Sequence, residues 1–209
     1  MRRLRVLCLH GYHGSATILR RQAAALFAPL AAGVDFVYLD APSLALGDYG
    51  WWHADDARGD PGAHERRARY RGWTRSRGWA IEQLGARRFD GVFGFSQGAA
   101  LAALLAGLRA PDGRPTGMRP LVFDFVAMAG GFASRDPRHD ALLAPPGGLA
   151  LPSLHLIGRT DAIVPAPLSR RLAARFVDPA IVEHAGGHVI AHDEATRAAV
   201  EAFLRAQAC

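Results

Sequence analysis

Gly91-Val92-Phe93-Gly94-Phe95-Ser96-Gln97-Gly98-Ala99-Ala100-Leu101 is the stretch that decides the fold. Its first five residues are apolar or glycine, as a strand covered on both faces requires. From Gln97 to Leu108 the chain turns to Ala and Leu, which are good helix formers. Between the two lies Gly94-x-Ser96-x-Gly98. A serine on a cramped strand-to-helix turn needs small residues two positions before and after it. Such a turn lifts the hydroxyl out of the sheet edge and aims backbone N–H groups of the helix start at the same point. The pattern predicts a strand over 91–95, a helix over 97–108 and a nucleophilic Ser96 between them.

Outward from this stretch, short apolar runs alternate with longer helical patterns, the signature of a parallel sheet with crossover helices. Strands are expected at 4–9, 34–39, 91–95, 121–128, 153–157 and 180–184. Helices are expected at 17–31, 66–84, 97–108, 168–176 and 194–208, with weak points in the second at Gly72 and Gly78. Two connections are long, 41–64 and 130–152, and long loops in compact domains are more often lids or binding loops than spacers. The 209 residues fit one α/β domain spanning 1–209.

Composition narrows the function. Half the residues are hydrophobic and 21% are charged, ordinary values for a globular chain. No apolar run approaches membrane-spanning length. Met1-Arg2-Arg3-Leu4-Arg5 resembles the start of a signal peptide, but Val6-Leu7-Cys8-Leu9 is too short for its apolar core and runs into His10-Gly11. A cytoplasmic protein that does not engage a membrane is expected. The two cysteines, Cys8 and Cys209, cannot make a disulfide framework or a metal cluster. The net charge of +6 raises nucleic acid as a partner, yet all 25 basic residues are arginine and most are scattered rather than gathered on one face. No nucleic-acid partner is expected. The exception is Arg66 to Arg77, with six arginines in twelve residues, interleaved with Tyr70 and Trp73. It reads either as a solvated helix face or as a surface for an acidic partner such as a coenzyme A moiety or a carrier protein.

A nucleophilic serine needs a base and an orienting acid, in chain order Ser…Asp…His for this kind of sheet. Leu156-Ile157-Gly158-Arg159-Thr160-Asp161 ends the fifth strand, and an aspartate in that turn is well placed to orient an imidazole. It could equally form the turn or cap a helix. Asp124, inside a strand, and Asp136 and Asp140, in a loop, are weaker candidates. For the base, His188 follows Gly186-Gly187, which free the loop to swing the ring over the nucleophile. His184, at a strand end, and His192, beside the last helix, are the alternatives. The oxyanion of an acyl-transfer intermediate needs a second N–H beyond that of Gln97. Leu9-His10-Gly11-Tyr12 ends the first strand, which would neighbour the nucleophile strand, and the His-Gly turn lets the Tyr12 N–H face the site. His10 and His13 also suggest metal ligands, but no third ligand stands at suitable spacing, so no metal is expected.

These motifs together resemble the FSH family of serine hydrolases, a small branch of the α/β-hydrolase fold. The likeness is carried by Leu9-His10-Gly11, Trp51-Trp52, Tyr70-Arg71-Gly72 with Ser76, and Gly94-Phe95-Ser96-Gln97-Gly98-Ala99. It continues through Gly130-Gly131-Phe132, Gly158-Arg159-Thr160-Asp161 with Val164-Pro165, and Gly186-Gly187-His188. The resemblance implies about six mostly parallel strands with helices on both faces. It also implies Ser96, Asp161 and His188 as the catalytic triad, the Tyr12 and Gln97 amides as the oxyanion hole, and ester or thioester hydrolysis without a cofactor. The chain departs from the family in carrying Gly14-Ser15 where members usually have Gln and Asn. C–C bond hydrolysis can reuse the same triad, and a non-catalytic binding module is a third possibility that three intact site residues disfavour.

For the substrate, Trp51, Trp52, Tyr49 and Phe132 lie in the two long loops and could wall an apolar acyl pocket. The alternative is that the tryptophans are core or loop anchors. The expected partner is a small acyl ester or thioester.

Overall fold

Leu4–Leu9 (β1) reads Leu-Arg-Val-Leu-Cys-Leu and buries every side chain except that of Arg5. The computed structural model, which describes residues 2–43, 50–55, 66–109 and 121–208, puts it between two parallel neighbours. These are β2 (Val34–Leu39) and β5 (Gly91–Phe95). With β6 (Phe125–Ala129), β7 (Ser153–Gly158) and β8 (Ala180–His184) they form a six-stranded sheet of order β2-β1-β5-β6-β7-β8. Every pairing in it is parallel. The chain leaves β1 towards β2 on one side and resumes at β5 on the other. Ligands bind at such a reversal, beyond the carboxyl ends of the strands. The loops after β1 and β5 carry Tyr12 and Ser96, so both residues stand at this point.

Parallel sheets are covered on both faces, and alternate strand residues divide between two cores. Leu7, Leu9, Val92, Val126 and Met128 pack on one face with α2 (Trp73–Ala86), α3 (Gln97–Leu108) and α4 (Asp140–Leu143). Leu172 of α5 (Ala166–Ala173) joins that core. Val6, Cys8, Phe93 and Phe95 pack on the other with α1 (Ala16–Phe27) and α6 (Glu194–Gln207). Ten of the twelve α3 residues are buried, which explains its nearly unbroken Ala/Leu sequence. A side chain at Gly107 would collide with the Leu142 carbonyl at 2.1 Å, so this glycine lets α4 press against α3. Among the described residues no helix is long and apolar enough to cross a membrane.

The segment expected to be helical from Arg66 begins instead as β4 (Tyr70–Arg71), paired antiparallel with β3 (His53–Ala54). Gly72, at φ 89°, turns the chain, and α2 starts at Trp73. The fourth strand is shorter than expected. Leu121 and Phe123 are fully buried but lie before β6, where the Asp124 N–H donates to the Asp90 carbonyl at 2.7 Å. Their apolar character reflects burial, which a strand pattern alone does not separate from pairing. Within 130–152, α4 was not expected. The Cys8 thiol is buried in β1, and burial pushes its pKa up, as suits a packing residue.

Candidate active site

Ser96 adopts φ 54°, ψ −116°, between β5 and α3. For a non-glycine residue such a backbone costs about 1–3 kcal/mol and persists only when its surroundings enforce it. The enforcement is visible. The Ser96 N–H donates to the Ala129 carbonyl at 2.8 Å, and its carbonyl accepts from Ala99 and Ala100 at 2.9 and 3.1 Å. A side chain at Gly94 would meet the Gly98 carbonyl at 2.2 Å, and one at Gly98 would meet the Leu9 carbonyl at 2.1 Å. The two flanking glycines are therefore required by contacts within the elbow and against β1.

Asp161 and His188 come from the loops after β7 and β8. The His188 Nδ1 lies 2.7 Å from Asp161 Oδ2, and the carboxylate is almost fully buried. The other oxygen, Oδ1, accepts from Ile163 and Val164 amides at 2.9 and 2.8 Å, so the carboxyl plane is fixed from both ends. The His188 ring packs on Phe95, the residue before Ser96, with centroids 4.9 Å apart. Gly130, at φ 56°, lies beneath it; a side chain there would come within 3.0 Å of His188 Cε1. The double glycine before His188 has a packing role beyond loop freedom. Gly158 lets it cross, since a Cβ at 158 would meet the Gly187 carbonyl at 2.3 Å. Thr160 ties the loop down, its N–H on the Gly186 carbonyl at 3.3 Å and its hydroxyl on Ala185 at 3.1 Å.

The alternative acids and bases have other engagements. Asp136 is buried, accepts the Tyr70 N–H at 2.8 Å and pairs with Arg138, which holds its carboxyl well below the usual carboxylate range. Asp140 pairs with Arg67, and Asp124 is exposed before β6. His184 is buried, which lowers its pKa. His192 is exposed, and it is Asp193 that caps α6, accepting the Thr196 N–H at 3.0 Å.

On the opposite side of Ser96, Gly11 abuts the nucleophile: a Cβ there would lie 3.3 Å from Ser96 Cβ. Gln97 stands in the first turn of α3, where helix geometry leaves amides without intrahelical partners. His10 is fully buried. Its Nε2 accepts the Ala41 N–H at 3.1 Å, so Nδ1 is the protonated nitrogen that donates to the Gly11 carbonyl at 2.8 Å. Burial lowers its pKa, and with both nitrogens used it braces the β1 loop. The Tyr12 ring covers Gly50, and its hydroxyl lies 3.2 Å from His53 Nδ1.

Trp51 and Trp52 correct the expectation of a pocket wall. Both are buried, 1% and 2% exposed, in the α3 core. The Trp51 indole donates to the His10 carbonyl at 2.7 Å, and Trp52 stacks on Tyr70 with centroids 4.8 Å apart. Their faces are used up by the protein, so they anchor the loop behind the site. Tyr49 lies outside the described residues. Phe132 is half-buried and does line a cleft, of about 480 Å³, with Ala133 and Leu168. Gln97 Oε1 and His139 are structural participants that sequence reasoning missed, and Ser76, quoted above only for the family resemblance, has a partner that the sequence did not indicate. Ser76 donates to the Trp51 carbonyl, and His139 packs on Trp73 at 4.5 Å. No residue spacing announces them, because their partners are backbone groups and rings distant in sequence.

A family model described as "Serine hydrolase (FSH1)" matches residues 1–200. The Xenopus tropicalis protein named Esterase OVCA2 is 33% identical over 206 residues, covering 90% of this chain and 86% of that protein. The Homo sapiens Esterase OVCA2 is 34% identical over 226 residues, covering 97% and 96%. Among solved structures, Zea mays acyl-protein thioesterase 2 superposes with a TM-score of 0.67 at 17% identity, covering 100% of this chain and 95% of that one. At that identity the likeness is one of fold: a parallel sheet of the α/β-hydrolase type.

Proposed function

The chain belongs to the FSH1 serine hydrolase family, and on that premise we propose that Ser96, Asp161 and His188 hydrolyse a carboxylic ester or thioester through an acyl-enzyme. One observation carries the proposal: the His188–Asp161 bond at 2.7 Å, packed against the residue that precedes a Ser96 held at φ 54°.

Asp161 engages Nδ1 of His188, which leaves Nε2 to take the Ser96 proton as Oγ attacks the acyl carbonyl. The Tyr12 and Gln97 amides hold the oxyanion, each contributing about 3 kcal/mol. Collapse of the intermediate breaks the bond to the alcohol or thiol, which leaves with the proton from His188. Water then attacks the Ser96 ester, giving its proton to His188. The second collapse releases the carboxylic acid and returns that proton to Ser96 Oγ. Each proton and electron pair is accounted for by these groups, so no step calls for a cofactor.

The acyl group is apolar and bears on the cleft floor of Phe132, Ala133 and Leu168. Exposed Tyr12, Ile163 and Val189 add apolar surface within two residues of Gly11, Asp161 and His188. The enzyme acts in the cytoplasm, where a free thiol such as Cys8 stays reduced.

A fluorophosphonate probe should label Ser96 in the wild type and nothing in Ser96→Ala, and that variant should lose hydrolysis of p-nitrophenyl acyl esters. A label located on another residue by mass spectrometry, or retained activity in Ser96→Ala, overturns the assignment.

A further inference from the structure

The loop after β1 holds a residue in an unfavourable backbone conformation. Gly11-Tyr12-His13-Gly14 is a turn closed by the Gly14 N–H, which donates to the Gly11 carbonyl at 3.0 Å. His13, its third residue, has φ 55°. Turns that need a positive φ at this position ordinarily place glycine or asparagine there, because a Cβ is crowded in that region. Among the described residues only two other non-glycines, Ser96 and Asp178, have positive φ. Two of the three strained residues therefore belong to the elbow and to the loop that faces it. Such strain persists only where the surroundings enforce it.

At His13 the enforcement runs through the Tyr12 side chain. The two rings meet edge-on, with centroids 4.1 Å apart. The Tyr12 ring is seated on Gly50, where a Cβ would come within 2.6 Å of Cδ2. Tyr12 is 40% exposed, so burial alone does not fix the ring. Its hydroxyl lies 3.2 Å from Nδ1 of His53, whose ring also meets it edge-on at 5.6 Å. His53 is itself held in place. It stands in β3, paired with Arg71 of β4, and it follows Trp52, whose carbonyl accepts from Gln97 Nε2 at 2.8 Å.

We propose that His53 is a positioning residue for the oxyanion hole: through the Tyr12 ring it holds the strained turn at His13, and with it the Tyr12 amide. This rests on the hydrolase reading of Ser96 with Tyr12 as an oxyanion donor. Without the clamp His13 relaxes to negative φ, which turns over the peptide joining it to Tyr12 and displaces the Tyr12 amide. An oxyanion donor acts only at hydrogen-bond distance, so a shift of about 1 Å costs rate. The loss falls on the transition state, where charge develops at the carbonyl oxygen, and spares the ground state.

His53→Ala should lower kcat about tenfold with KM changed less than about twofold, a fraction of the loss that follows removal of an oxyanion donor. Affinity for an alkyl trifluoromethyl ketone, whose adduct with Ser96 places an oxyanion in the hole, should fall by a similar factor. Tyr12→Phe keeps the amide and the ring but not the hydroxyl. It should act alike, and the two changes together should cost no more than either alone. His53→Asn can present its Oδ1 to the Tyr12 hydroxyl and should restore most of the rate. His13→Gly tests the strain itself, since glycine takes φ 55° freely. In the His13→Gly protein, adding His53→Ala should cost little further rate. Should His53→Ala fail to fold, Tyr12→Phe with and without His13→Gly carries the same comparison. Additive losses in the glycine background, or a rise in KM in place of a fall in kcat, overturn the proposal. A His53→Ala protein that melts lower yet keeps its kcat overturns it too, because the contact then serves stability alone. Each of these results leaves hydrolysis by Ser96 standing. Failure of the hydrolase reading shows differently, as absent fluorophosphonate labelling and absent turnover of every ester in the wild type.

Discussion

Gln97 Oε1 accepts the Trp51 backbone N–H at 2.8 Å, while Gln97 Nε2 donates to the Trp52 carbonyl at the same distance. One side chain thus fixes the loop behind the site, and the residue bearing it follows Ser96 directly. Trp51 in turn holds the His10 carbonyl, two residues before Tyr12. The two proposed oxyanion donors are mechanically joined through a tryptophan that never faces the substrate.

Gln97→Ala should therefore injure stability and rate together. It leaves two buried backbone groups without partners, at about 1–3 kcal/mol each. For a domain of this size each kcal/mol lowers Tm by roughly 2–4 °C. Thermal unfolding should drop by several degrees, and kcat should fall more than KM rises, because the β1 loop loses its brace. A Tm equal to that of the wild type would mean the bridge contributes nothing.

The central architecture was legible because its signals are local. Strand β5, helix α3 and the glycines around Ser96 announce themselves through hydrophobicity and steric need at fixed spacing. The turn after the fifth strand and the double glycine singled out Asp161 and His188 as candidates, and the resemblance to a known family implied the same two. What stayed hidden depends on contacts between segments far apart in sequence. The start of α2 is set by Gly72 and by pairing of Tyr70 with Ala54. The indoles of Trp51 and Trp52 look the same in sequence whether they wall a pocket or fill a core. The cleft beside Phe132 is assembled only when α5 brings Leu168 beside the loop after β6.

Asp161→Asn should fold but lose about 10³–10⁴-fold in kcat. The Asn carbonyl oxygen can keep the Ile163 and Val164 amides, which turns its NH₂ towards His188 Nδ1 and favours the wrong imidazole tautomer. Steady-state kinetics beside a thermal melt checks both halves. Near-normal turnover would point to another acid.

Two glycines should respond in opposite directions. Gly98→Ala forces a methyl within 2.1 Å of the Leu9 carbonyl and should abolish activity with a marked loss of stability. At Gly78, inside α2, a Cβ would meet nothing within 4 Å. Gly78→Ala should stabilise by about 1 kcal/mol through helix propensity and leave kcat/KM as it was. Equal melting temperatures for the Gly98 variant and the wild type would contradict the tight elbow.

Four buried histidines give the fold an acid-sensitive window. Burial lowers the pKa values of His10, His139, His155 and His184, that of His155 to about 4. Each is held neutral when folded and takes up a proton near pH 6.5 when unfolded. Their contribution is present above about pH 6.5 and is lost as pH falls from there towards the folded values. Each proton taken up steepens the loss by about 1.4 kcal/mol per pH unit. Asp136 acts in a separate window, because its carboxyl is depressed and its contribution fades only below about pH 4. Urea titrations at pH 7.5 and 5.5 should show a lower midpoint at the acid value. A His155→Phe variant should flatten the difference. An unchanged midpoint across this interval would show that the histidines protonate freely in the folded state.

The acyl chain-length profile should locate the pocket at Phe132 and away from the tryptophans. Each buried methylene is worth about 0.8 kcal/mol, so kcat/KM should climb several-fold per carbon until the chain meets a wall. Phe132 is half-buried on the cleft, and trimming it enlarges the space available to substrate. Phe132→Ala, assayed on p-nitrophenyl esters from acetyl to dodecanoyl, should move the optimum to longer chains. Trp52→Ala removes a ring stacked on Tyr70 in the core and should cost about 3–5 kcal/mol of stability instead. Because that loss could unfold the protein, Trp52→Phe serves beside it, keeping an aromatic face on Tyr70. In the tryptophan variants that remain folded the optimum should stay where it is in the wild type. If the optimum moves in Trp52→Phe and holds in Phe132→Ala, the acyl chain runs along the tryptophan loop and not over Phe132.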